Sequence, residues 1–237
     1  GLEMYEEALR IRMKRLGSKH PEVASTHYNI ALVHAMQGKL AEALEGHKEA
    51  LRIRKKVQGE AHPDVAGTLT NIASVLRAQK DLRGALQMYQ EALVLQRKGR
   101  GEDHPEIAQT LGNLALLQEE LGMHEEALDG SKQALRILIK RLGKEHPTVG
   151  QLCVNLGSMH MKAKEDAETL ECFRKAFEIQ SKAMGARSME AADARTGMGY
   201  AYEAQGRGEE AREMFEAAAE AYARVLGPLH SRTKNAR

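Results

Sequence analysis

Four asparagines recur at a step of 42 residues: Asn29, Asn71, Asn113 and Asn155. A carboxamide carries both a donor and an acceptor, so it can hold the backbone of an extended peptide whatever that peptide's side chains. Four in succession would make a track for such a segment. The alternative use of each amide is a bond to a neighbouring helix. Catalysis has less to work with. The chain has no glycine-rich phosphate loop, no nucleophile elbow and no His-Glu-x-x-His segment. Cys153 and His160 stand seven apart and could share a helix face, but two ligands make a poor zinc site. His34 and His160 fall in one column with Leu76 and Tyr202, which favours a packing role for the histidine. No catalytic residue, metal or cofactor is expected.

The 42-residue step runs through the whole chain. His-Pro pairs occur at His20-Pro21, His62-Pro63, His104-Pro105 and His146-Pro147, and glycines at Gly17, Gly59, Gly101, Gly143, Gly185 and Gly227. A fixed period of this length means one supersecondary unit stacked on copies of itself. The 237 residues are 42% hydrophobic, 29% charged and only 4% aromatic, with no tryptophan. That mix suits helices packed through small residues better than strands.

Residues 62–101 show the unit. Val65, Ala66, Leu69, Ile72, Ala73, Val75 and Leu76 follow one another at helical steps, then Leu82, Ala85, Leu86, Tyr89, Ala92, Leu93 and Leu95 do so again. Lys80-Asp81 marks a tight turn between the two helices; other units carry Gly38, Gly122 or Gly206 there, as expected for a left-handed residue ending a helix. Proline suits the first helical position, and the glycine before it closes the previous helix. Ala8, Ala50, Ala92, Ala134, Ala176 and Ala218 form a column where one helix must approach the next closely.

The period predicts the second helix of a truncated repeat at 1–16, then repeats at 17–61, 62–103, 104–145 and 146–187. A divergent capping repeat follows at 188–226, and residues 227–237 are a tail or stub that stops before a helix forms. In the divergent repeat Ser188-Met189 replaces His-Pro, and Arg195 and Arg212 occupy formerly apolar columns.

The formal net charge of +2 implies neither nucleic acid nor an anionic membrane as partner. Basic residues crowd the ends of the second helices, at Arg52, Arg54, Lys55 and Lys56 or at Arg97, Lys98 and Arg100. They read as complements to the helix dipole. No run approaches the length of a membrane span. Two cysteines make no disulfide framework, which favours a reducing, cytoplasmic setting.

Helix–turn–helix units with small residues at Ala31/Ala73/Ala115, Ala43/Ala85/Ala127 and Ala50/Ala92/Ala134 resemble tetratricopeptide repeats. The 42-residue period with entry segments such as Leu142-Gly143 to Val149 resembles the repeats of kinesin light chains. The resemblance implies an all-α, right-handed superhelical solenoid without enzymatic activity, whose first helices line a concave groove for a linear peptide. It further implies peptide contact by Asn29, Asn71, Asn113 and Asn155. On the same helix faces it adds Ser74, Arg77, Leu116, Ser158 and Lys162, with Arg77 the best match to a basic residue gripping an acidic motif. A cargo adaptor is one role implied; a regulatory array docking on a catalytic domain of a larger protein is the other. Self-association through the open half-repeat at 1–16 is a further expectation.

Overall fold

The computed structural model describes residues 1–235. Every regular element among them is helical, and the chain divides into two compact units, Gly1–Leu121 and a second from Gly122 onward. The first holds α1 (Leu2–Leu16), α2 (Pro21–Met36), α3 (Leu40–Gln58), α4 (Pro63–Ala78), α5 (Leu82–Arg100) and α6 (Pro105–Glu120). The second holds α7 (His124–Leu142), α8 (Pro147–Lys162), α9 (Asp166–Met184), α10 (Met189–Ala204), α11 (Gly208–Leu226) and α12 (Ser231–Asn235).

Each His-Pro pair starts a helix, and both residues take part. Proline occupies the first turn, while the histidine is the N-cap. Its Nδ1 accepts the backbone N–H two residues on, at 3.2 Å for His20, 3.1 Å for His62, 3.3 Å for His104 and 3.2 Å for His146. One of the orphan donors of the first turn is thereby satisfied. Sequence reasoning assigned the proline and missed the imidazole. At α10 the Ser188 hydroxyl does the same work, accepting from the Ala191 N–H at 3.2 Å.

Two kinds of left-handed residue punctuate the repeats. Between the helices of a pair the chain closes in a Schellman-type turn: the Lys39 N–H reaches the His34 carbonyl at 2.9 Å, and Glu165 reaches His160 at 3.0 Å. The residue within that turn is Gly38 at φ 75°, but Lys80 at 67° and Lys164 at 59° adopt the same conformation. Between pairs the glycines combine φ of 77–92° with ψ of 148–165°, a region closed to every residue with a Cβ. This is why lysine enters the first position and never the second. Lys164→Gly is expected to raise the stability of the second unit by about 1 kcal/mol by relieving the αL cost. Urea unfolding checks it; an unchanged or lower midpoint would show that the lysine stem contributes more than its backbone conformation costs.

The alanine column lies at the closest contacts. Ala50 and Ala92 in the first unit, and Ala134, Ala176 and Ala218 in the second, are fully buried. Val23, Val65, Ile107 and Val149 are buried likewise on the first helices, each contributing about 1.5 kcal/mol or more.

Arg54 departs from the dipole reading. It is the one buried Asp, Glu, Lys or Arg among the described residues. Its Nη1 donates to Thr68 Oγ1 at 2.7 Å and to the Asp64 carbonyl at 3.1 Å, tying the end of α3 to the first turn of α4. Arg12 latches α1 to α2 in the same way, reaching Thr26 Oγ1 at 2.7 Å.

The tail expected at 227–237 differs from expectation. Residues after Gly227 do form a helix, α12, because His230 Nδ1 accepts the Arg232 N–H at 3.3 Å and the buried Thr233 hydroxyl donates to the Gly227 carbonyl at 2.9 Å. Residues 236 and 237 of the expected tail lie outside the described residues. Arg195, in an apolar column, lays its guanidinium 4.5 Å from the centroid of the Phe177 ring and donates to the Ala186 carbonyl at 2.6 Å, while Arg212 is exposed and paired with Glu216 at 2.7 Å.

Candidate peptide-binding face

In the first unit the first helices of successive pairs lie side by side. Asn71 of α4 donates to Tyr28 Oη of α2 at 2.6 Å. The hydroxyls of Thr70 on α4 and Thr110 on α6 are 3.4 Å apart. Arg77 of α4 donates from Nε and Nη2 to Glu120 Oε1 of α6 at 2.7 and 2.6 Å, with Lys80 Nζ 3.9 Å from Glu120 Oε2. Three helices therefore present one continuous surface, and helical spacing sets Asn29, Leu32 and Met36 along it on α2.

The asparagines are not equivalent. Asn71 is engaged by Tyr28, whereas Asn29 and Asn113, both half-buried, make no side-chain hydrogen bond among the described residues. Leu32 and Met36 are exposed, Met36 at 89%, and Leu116 is half-buried. The Ser74 hydroxyl donates to the Thr70 carbonyl at 3.1 Å and lies 2.8 Å from Tyr89 Oη of α5. So the face offers apolar contacts near free amides, and its one guanidinium already holds a carboxylate.

Tyr28 organises what lies behind Asn71. The Arg54 guanidinium sits 4.6 Å from the centroid of its ring, and His47 meets it edge-on with centroids 5.2 Å apart. His47 is fully buried and neither ring nitrogen has a partner. Burial, with Arg54 adding to it, pushes its imidazole down to about 4.

In the second unit Asn155, Ser158 and Lys162 lie on α8. Asn155 is half-buried, Ser158 donates to the Val154 carbonyl at 3.1 Å, and Lys162 is exposed in the last turn. The fifth pair breaks the asparagine series for a steric reason. A Cβ at Gly197 would stand 2.3 Å from Cε1 of the buried Phe173 ring, which also presses on Gly157.

The remaining candidates are absorbed by structure. Arg52 pairs with Glu49 at 2.6 Å, Lys55 with Glu91 at 3.1 Å, Arg97 with Glu102 at 3.1 Å and Arg100 with Glu106 at 3.4 Å. The basic clusters thus face their own carboxylates. His160 bonds Glu165 through Nδ1. Both cysteines are free thiols, and burial raises both, Cys172 to about 11, so neither is a ready nucleophile. Among the described residues no group of three or more His, Cys, Asp or Glu could hold a metal, and no helix is long and apolar enough to cross a membrane. His47 was not found from sequence; Tyr28 and Glu120 were expected on the peptide-facing side, Glu120 as a charge opposing an acidic ligand, but their bonds to Asn71 and Arg77 were not. The signal for the Arg77–Glu120 pairing was available, since Glu120 on α6 stands 43 residues after Arg77 on α4.

The tetratricopeptide-repeat profile matches residues 1–56, 64–140 and 150–224. The chain belongs to the tetratricopeptide-repeat family, an all-α solenoid fold that is generally a non-catalytic protein-interaction scaffold. Among solved structures it is similar to BtubC (BKLC) from P. vanneervenii, at 19% identity and a TM-score of 0.81, over 94% of this chain and 88% of that one. It is also similar to nearly identical TPR-like repeats from Podosopora anserina, described as those of a kinesin light chain, at 22% identity and a TM-score of 0.75, over 87% of this chain and 98% of that one. MamA matches at 16% identity and a TM-score of 0.59, over 90% of this chain and 98% of that one. At these identities the likeness is one of fold. No curated protein matches the chain in sequence.

Proposed function

We propose that the face formed by α2, α4 and α6 binds an extended peptide segment of a partner protein, as an adaptor of the kinesin-light-chain type would. The observation that carries this reading is the pair of free amides, Asn29 and Asn113, beside the exposed Leu32 and Met36 and the half-buried Leu116. An amide that makes no internal bond on an accessible helix face can take both a donor and an acceptor from a ligand backbone at no cost to the fold. Within the second unit, Asn155, Ser158 and Lys162 on α8 are the corresponding candidates for a peptide contact of their own. With two free thiols, the setting we assign is cytoplasmic.

Ligand charge depends on Glu120. An acidic side chain can reach Arg77 only by displacing the carboxylate already there. Fluorescence anisotropy with two labelled peptides tests the reading, one carrying aspartates around a leucine and one with asparagine in their place. Asn113→Ala is expected to weaken both by roughly 5- to 10-fold, the worth of about one hydrogen bond. Glu120→Gln is expected to strengthen the acidic peptide relative to the neutral one. Unchanged affinity in Asn113→Ala would return that amide to a structural role. No binding of either peptide would favour an array that docks on a folded domain. Asn71→Ala is a poorer probe, because it also breaks the bond to Tyr28.

A further inference from the structure

His47 belongs to a column, one residue per repeat, at the centre of each helix pair: His47, Tyr89, Ser131, Phe173 and Phe215. The polar members elsewhere in the column are provided for. Tyr89 Oη lies 2.8 Å from Ser74 Oγ, and the Ser131 hydroxyl donates to Met159 Sδ at 3.4 Å. Phe173 and Phe215 need no partner. His47 is fully buried and has two ring nitrogens with no hydrogen bond at all. A buried polar group of this kind calls for an explanation beyond packing, since an apolar ring fills the same place three and four repeats further on.

We propose that His47 is an acid-responsive plug: proton uptake by its ring opens the packing of α2, α3 and α4, and with it the seat of Tyr28 that holds Asn71. The ring has no room for a charge. From α2 it meets Tyr28, whose ring face carries the guanidinium of Arg54 on α3 itself. From α4 the polar groups in the cluster are Asn71 and Thr68, bonded to Tyr28 and Arg54 and both uncharged. Arg54 is the charge that acts on the ring, and no carboxylate offsets it. An imidazolium here would be a second desolvated cation in a cluster already holding one.

The direction follows from linkage. The ring is held at about 4 in the folded unit and titrates near 6.5 when exposed. Above the exposed value both states are neutral and the packing has its full stability. As pH falls from there towards about 4, the opened state takes a proton that the closed state refuses, and stability is lost. Below about 4 this group contributes no further change. The consequence for a ligand, that acid releases Asn71 from Tyr28, rests on the peptide-binding reading; the opening itself does not.

Hydrogen exchange of the whole chain without ligand, from pH 7.5 to 4.5 and corrected for intrinsic rates, tests the opening in the native chain and in His47→Leu and His47→Tyr. Peptides from α2 to α4 of the native chain are expected to lose protection by about 50- to 100-fold more than the same peptides of either variant, as a ring that titrates at about 4 when closed and near 6.5 when open requires at pH 4.5. Either variant suffices if the other fails to fold. An NMR titration of the His47 ring should show a midpoint well below 6. Parallel loss of protection in native chain and variants, or a ring midpoint near 6.5, would overturn the proposal. Failure of peptide binding with the exchange result intact would remove the groove reading and leave the acid response standing.

Discussion

Gly197→Asn is expected to destabilise the second unit by about 2–3 kcal/mol, although it supplies the asparagine that the four preceding repeats carry at this position. The Phe173 ring occupies the space: a Cβ at Gly197 would approach Cε1 to 2.3 Å and Cδ1 to 2.4 Å. The same ring closely covers Gly157 as well, where an added Cβ would stand 2.9 Å from Cζ, so a shift of the ring would have to be taken up against α8. Ring size and ladder residue are therefore alternatives. Phe173→Ser, copying Ser131, creates a cavity on its own, yet combined with Gly197→Asn it should cost less than the sum of the two single changes by at least about 1 kcal/mol. Urea denaturation followed by circular dichroism gives all four corners of the cycle. Native-like stability of Gly197→Asn alone, or strict additivity in the double variant, would refute the steric account.

Arg54→Ala is the second large effect, expected at about 3 kcal/mol. The substitution strips the Asp64 carbonyl and the Thr68 hydroxyl of a buried donor and removes the guanidinium from the Tyr28 face. Lysine is no substitute, since one ammonium cannot both stack and fork between two acceptors. Arg54→Gln should lose less, because Gln180 already reaches the Pro147 carbonyl at 3.2 Å from the equivalent position. Midpoints in urea at constant m-value order the three variants. An Arg54→Ala chain within 1 kcal/mol of native would place the arginine among the ordinary surface charges.

The fold was legible because its determinants repeat. A proline every 42 residues can only be a helix start in such a pattern, and a buried alanine every 42 residues can only be a close helix contact. What escaped was chemistry that crosses from one repeat to the next. Asn71 and Tyr28 are 43 apart, and Arg77 and Glu120 likewise, so neither pair falls within a column. The asparagine column suggested equivalence where the structure shows one bonded amide and two unbonded ones in the first unit. Arg54 was hidden among Arg52, Lys55 and Lys56. Its inward orientation could have been read from position, for it follows the buried Ala50 by four and Ile53 by one. The N-cap histidines were visible as a recurrence, but imidazole is an uncommon cap beside serine, threonine, asparagine and aspartate.

The joint and the latch have different consequences for how such an array can be rearranged. The joint is generic: glycine, histidine and proline fall within five residues, Gly59 to Pro63 for example, and travel together in any excised copy. The latch is matched across that joint. Arg54 meets Thr68 and Arg12 meets Thr26, while the corresponding places between α7 and α8 hold two buried leucines, Leu138 and Leu152. A copy moved to a new place would fold at its joint and still strand a guanidinium against leucine, or a hydroxyl against nothing. The order of the repeats is thereby written into the chain one seam at a time, and shuffling them would be read out as lost stability at each mismatched seam.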